Sequence, residues 1–144
     1  MPIPEKRSAA KEDAEIPWFG SLNQSDFELD FFDAVLRRNA KSVAVLRCLG
    51  ELLARKGLYE RSLELDQRLV SLLPHDGVAR YNLACSLAMV GSKQKAIEDL
   101  ARAIELGYDD FHHIEIDPDL DGLRGEPAFE ALLRRYSIRP ETPG

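Results

Sequence analysis

The chain of 144 residues has room for one domain and tails, large enough to build a core without disulfides or a structural metal. Its 44% hydrophobic and 31% charged residues suit a soluble globular protein, while a formal net charge of -6 argues against a nucleic-acid or membrane-surface partner, both of which want a basic stripe. No apolar run is long enough to span a bilayer, and the opening MPIPEKRSAAKEDAE lacks the apolar stretch of a signal peptide, so a cytoplasmic location is expected.

Residues 1–25 hold Pro2, Pro4 and Pro17 around a mixed-charge run and read as a flexible N-terminal tail. Within it, Trp18 and Phe19 either fold back onto the first helix or serve as a hook for a partner. From Ser25 the pattern turns helical: Ser25 or Asp26 can cap, and Phe27, Phe31, Phe32, Val35 and Leu36 recur at helical spacing, which predicts a helix within 26–40. A second pattern covers 43–56, with Leu46, Leu49 and Leu53 on one stripe and Gly57 as its C-terminal closure. A third covers 59–73 and stops at Pro74. A fourth covers 78–90, with Tyr81, Leu83 and Leu87, and closes at Gly91. The fifth uses Ala96, Ile97, Leu100, Ala103 and Ile104 and ends near Gly107.

Beyond it, Asp117 can cap a helix with Pro118 at its first position, and Leu120 and Leu123 form a short apolar stripe. Gly125 breaks that stripe. Pro127 opens a last helix carrying Phe129, Leu132, Leu133 and Tyr136, and residues 137–144 read as a second flexible tail. Cys48 and Cys85 match neither a zinc-ligand spacing nor a CxxC pair, and both fall in apolar helical patterns, so buried reduced thiols are expected.

One offset superposes the second pattern on the fourth and the third on the fifth: 34 residues, as from Leu49 to Leu83. By the same offset Leu53 falls on Leu87, Ala54 on Ala88, Gly57 on Gly91, Glu64 on Glu98, Arg68 on Arg102, Leu72 on Leu106 and Asp76 on Asp110. The spans 43–76 and 77–110 are therefore two copies of one helix-turn-helix unit. A single helical hairpin cannot bury both of its apolar stripes, whereas stacked hairpins share a continuous core. The helix at 26–40 also matches half a unit, Leu29 falling on Leu63 and Val35 on Leu69, and 111–136 is placed to cover the opposite end.

The first copy reads Leu46, Leu49-Gly50, Leu53, then Ser62, Asp66 and Pro74, and the second reads Arg80, Leu83-Ala84, Leu87, then Ala96, Leu100 and Tyr108. In period, glycine turns and small-residue placement this resembles the tetratricopeptide repeat family. The family's large aromatics are absent. The resemblance implies an all-α solenoid of stacked antiparallel hairpins over 26–136, with Gly50 and Ala84, and Ser62 and Ala96, where paired helices approach most closely. It also implies a protein-interaction module with no enzymatic activity.

The stretch HHIEIDPDLDG, residues 112–122, alternates Asp117, Asp119 and Asp121 ahead of Gly122 in the manner of a calcium loop. Such a loop needs a bidentate glutamate at its twelfth position, where this chain has Ala128, and Pro118 occupies the second. His112 and His113, adjacent on a helix, point to different faces and cannot share one ion. No metal ligand and no cofactor is assigned. The chain contains no nucleophile elbow, phosphate loop or HExxH sequence, so no catalytic residue is assigned either.

In the resembled family the first helices of stacked units line a concave groove. The residues off the core stripe on those helices are Arg47, Glu51 and Arg55 in the first unit and Tyr81, Asn82, Cys85 and Met89 in the second. Arginine offers charge-assisted bonds to a carboxylate, Asn82 can bridge a peptide backbone, and Tyr81 and Met89 give adaptable contact area. The expected function is binding of a peptide or protein segment by a monomer or weak homo-oligomer. Two other readings are a self-assembling scaffold using Phe27, Phe31 and Phe32, and a metal-binding regulator using residues 109–121.

Overall fold

A computed structural model describes residues 24–136, and among them every regular element is helical. The elements are α1 (Gln24–Arg38), α2 (Val43–Arg55), α3 (Tyr59–Leu72), α4 (Gly77–Met89), α5 (Lys93–Glu105), α6 (Phe111–Ile116), a 3-10 segment (Pro118–Leu123) and α7 (Pro127–Tyr136). Helix α1 begins just inside the span read as tail; the rest of that tail, with Trp18 and Phe19, and residues 137–144 lie outside the described residues. None of the described helices is long and apolar enough to cross a membrane.

The chain divides into two compact units, Met1–Ala40 and Lys41–Gly144, a division that falls inside the span 26–136 read from sequence as one domain. In the first, α1 ends on Arg37 and Arg38, cations placed where the helix dipole favours them. Its Phe31 and Phe32 rings meet edge to face at 5.6 Å.

The second unit is built on α4, which packs against α3, α5 and the 3-10 segment, while α2 packs against α3. Small residues explain the central position of α4. Ala79, Ala84 and Ala88 are buried together with Tyr81, Leu83, Cys85, Ser86 and Leu87, so the helix hides nearly its whole circumference. Asp76 starts it by accepting bonds from the Val78 and Ala79 amides at 2.9 and 3.0 Å. Those amides, with the Arg47 guanidinium at 3.1 Å, hold the Asp76 carboxyl below the usual carboxylate range. Arg80 on α4 pairs with Asp99 on α5 at 3.1 Å, and its Nε is buried without an acceptor among the described residues.

The 34-residue offset is visible in the hydrogen bonds that end the helices. At the end of α2 the Leu58 amide donates to the Leu53 carbonyl at 2.9 Å and the Gly57 amide to the Ala54 carbonyl at 3.0 Å; after α4 the Ser92 amide donates to Leu87 and the Gly91 amide to Ala88, at 2.9 and 3.1 Å. This is the Schellman closure, and it needs the left-handed backbone that Gly57 and Gly91 adopt, with φ of 79° and 90°. The Ser62 hydroxyl donates to the Gly50 carbonyl at 3.2 Å and ties α3 to α2.

Leu46, Leu49, Leu52 and Leu53 of α2 are buried. Cys48 is exposed, against the expectation of a buried thiol: it stands two residues past Leu46, about 200° around the helix from it. Cys85 is buried as expected, and both thiols are free.

Asp110 caps α6 through the His113 amide at 3.0 Å, as Asp76 caps α4 one offset earlier. Asp117 caps the next element through the Asp119 amide at 3.0 Å with Pro118 at the first position, but the element is 3-10 rather than α. Its Leu120 and Leu123, with Phe129 of α7, are fully buried. The same 3-10 segment packs on α4 and α5, and α7 packs on α5.

Candidate functional site

Helices α2, α3 and α4 turn one face each toward a cavity of about 690 Å³, and the turn at Asp117, Pro118 and Asp119 completes its wall. To its lining α2 contributes the small residues Gly50 and Ala54.

Of the residues singled out from sequence, Arg47, Glu51, Tyr81, Asn82, Cys85 and Met89 all line this cavity. Arg55 is exposed and is not among the lining residues. Arg47 is committed to Asp76 through the ion pair described above. Tyr81 is 4% exposed and Cys85 8%, so both belong more to the wall than to the free surface, whereas Asn82 is open.

Asp117 is the polar centre of one end. Its Oδ2 accepts the Tyr81 hydroxyl at 2.5 Å, faces the Cys85 thiol at 3.7 Å and pairs with His113 Nε2 at 3.2 Å. Tyr81 is fixed further by stacking on Tyr108, rings parallel to within 4° and 4.2 Å between centroids. Burial, reinforced by neighbouring negative charge, pushes the Tyr81 phenol and the Cys85 thiol far above their ordinary values, so both stay protonated donors. Burial also raises the Asp119 carboxyl, with Asp117 adding to it.

A second polar pair lies on the floor. Asp66 of α3 accepts the Ser86 hydroxyl of α4 on its Oδ2 at 2.5 Å. Asp66 is 9% exposed, and burial pushes its carboxyl up to about 6, the Ser86 bond opposing the rise. From sequence Asp66 is only a position in the repeat alignment and carries no mark of a site residue on its own. The signal lies in the comparison of the two copies. The 34-residue offset places Asp66 on Leu100 and Ser86 on Leu52, two buried leucines, so a carboxylate and a hydroxyl stand where the other copy has hydrocarbon.

The His113 imidazole is engaged with Asp117 and the Ser86 hydroxyl with Asp66, so the acid, base and hydroxyl belong to two separate pairs. Cys85, Asp117 and Asp119 place ligand atoms within 4.8 Å of one another. An ion bridging them would need the Cys85 thiolate, the form that burial disfavours, and a thiolate is a poor partner for calcium. The residues of the acidic stretch are otherwise used structurally: Asp117 caps, and Asp121 pairs with Arg124 at 3.0 Å on the surface.

No protein-family model matches the chain. Among known proteins it is similar to a chloroplastic protein of Arabidopsis thaliana, with 34% identity over 86 residues, which is 58% of this chain and 26% of that protein. The chain thus spans about a quarter of that relative's length.

Proposed function

We propose that residues 43–110 are two tetratricopeptide-like units stacked as a short solenoid, that 111–136 cover its end, and that the cavity is a groove binding an extended polypeptide segment without catalysis. The observation that carries the reading is the shared cavity: the first helices of both units, α2 and α4, line it, and Arg47 and Glu51 of α2 stand one 34-residue offset from Tyr81 and Cys85 of α4. The equivalent Schellman closures at Gly57 and Gly91 and the Ser62 contact on Gly50 support the stacked-unit part. The Asn82 amide and Met89 thioether beside a polar floor suit a peptide, whose backbone needs both donors and acceptors.

The test is selection from a displayed library of random decapeptides. The reading expects recovered peptides to shift the NMR signals of Glu51, Asn82 and Met89, and Asn82→Ala with Met89→Ala to weaken binding with the helical circular dichroism unchanged. Recovery of no peptide, or shifts confined to other surfaces, would remove the groove assignment.

A second reading has one observation behind it. Phe27 and Phe31 of α1 are 59% and 56% exposed, apolar surface that a second copy of the chain could cover. Light scattering that finds a monomer at high protein concentration would end that reading.

A further inference from the structure

Asp66 is an anomaly of this chain's own repeat. The core position it occupies holds fully buried Leu100 in the second copy, and Ser86 stands where the first copy has Leu52, 4% exposed. Two leucines at this contact would satisfy the core without desolvating a carboxylate, so packing alone gives no reason for the substitution.

The surroundings of Asp66 show how it could be used. Its Oδ2 is occupied by Ser86, whereas Oδ1 points toward Gly50, where an added Cβ would stand 3.5 Å away. No cation is paired with the carboxylate among the described residues, although it is nine-tenths buried and lines the cavity. Around it the cavity carries Glu51, Asp117 and Asp119, and its guanidinium, that of Arg47, is turned to Asp76. The same cavity is lined by Ala54, Leu69 and Met89, apolar groups suited to an aliphatic stem.

We propose that the floor of the groove is a receptor for one basic side chain of the bound segment, its cationic head paired with Asp66 and its methylene stem passing Gly50, Ala54 and Met89. The occupant is therefore a polypeptide segment carrying a lysine or arginine, chosen by charge complementarity with a carboxylate-lined cavity. This rests on the groove reading above. An incoming cation relieves the unfavourable burial of Asp66: the pair forms where solvent is already excluded, and such charge-assisted bonds are stronger than neutral ones. The rise of the Asp66 carboxyl to about 6 is the mark of a buried acid still lacking its counter-charge.

The experiment uses the full chain and a positional-scanning decapeptide library in which one position is fixed in turn as lysine, arginine, norleucine, glutamine or glutamate. Binding is read by fluorescence anisotropy at neutral pH. The proposal expects the lysine or arginine pools to bind roughly tenfold or more tighter than the norleucine and glutamine pools, with glutamate weakest. Comparison of the first two arms tells which cation fits. Asp66→Asn, which keeps the Ser86 bond, should bring basic and neutral pools to within about twofold of each other. Asp66→Leu, which copies Leu100 of the other unit, should do the same and serves if the asparagine variant does not fold. Pools that bind equally well, or a basic preference that survives both variants, would overturn the proposal and leave the groove standing. Failure of every pool to bind would overturn both.

Discussion

The Tyr81 hydroxyl and the Asp117 carboxylate meet at 2.5 Å, joining the centre of α4 to the turn that begins the 3-10 segment. Both residues line the groove and both are more than nine-tenths buried. The cavity wall is therefore held in place by the same bond that fastens the 3-10 segment to α4. Tyr81→Phe removes the hydroxyl and keeps the ring stacked on Tyr108. It should lower stability by about 1–3 kcal/mol, the cost of leaving a buried acceptor short of a donor. Urea denaturation monitored by circular dichroism measures this; an unchanged midpoint would mean that His113 and Cys85 satisfy Asp117 without help.

Asp66 makes stability depend on pH in the less usual direction. Its carboxyl is raised from 3.8 to about 6, so the folded protein binds the proton more tightly than the unfolded chain. The contribution is fully present below pH 3.8 and is lost as pH rises through about 6. Holding the group ionised at neutral pH then costs up to about 3 kcal/mol. Asp66→Asn should stabilise the protein at pH 7 and make little difference near pH 3.5, roughly the unfolded carboxyl's own range. Urea midpoints of the two proteins across that range give the comparison, and a gap that does not widen with pH would refute the assignment.

Leu120 and Leu123 are fully buried in the segment that begins at Asp117. Each substituted by alanine should cost about 2–5 kcal/mol. Asp121→Asn, by contrast, disturbs only an exposed pair with Arg124 and should change stability by less than about 1 kcal/mol. Thermal denaturation of the three variants checks the contrast, which is the practical difference between a segment held by its buried leucines and a metal loop.

Gly77, the first residue of α4, packs backbone to backbone: a Cβ there would stand 3.0 Å from both the Ala103 carbonyl oxygen and the Tyr108 amide nitrogen. Gly77→Ala should destabilise by about 1–3 kcal/mol through forced separation of α4 from the end of α5. Gly50→Ala, whose new Cβ would meet Asp66 Oδ1 at an ordinary 3.5 Å, should be tolerated. Equal effects of the two on the thermal midpoint would contradict this difference in room.

What can be read from the sequence follows regular periods. The stripe Leu46, Leu49, Leu53 and its copy Leu83, Leu87 predict helices within a residue or two of those observed, because burial on one face imposes helical spacing. Gly57 and Gly91 mark the closures for the same reason that only glycine takes that backbone cheaply. Helix α6 leaves no such trace: six residues with one buried, Ile114, carry no period. Asp117 is legible as a cap, but its contacts with Tyr81, Cys85 and His113 cross up to 36 positions and depend on tertiary placement. Asp66 is hidden for another reason: a groove sought on the exposed positions of first helices passes over a polar residue at a core position of the second.

Asp117 serves several tasks at once: it caps one segment, anchors Tyr81, engages His113 and faces the groove. A residue with so many obligations has few acceptable replacements. Sequence drift in the 3-10 segment and in the cavity wall cannot then proceed separately, because a change that suits one must also suit the other through this single carboxylate. Divergent copies of the protein should alter Tyr81, His113 and Asp117 together or leave all three alone.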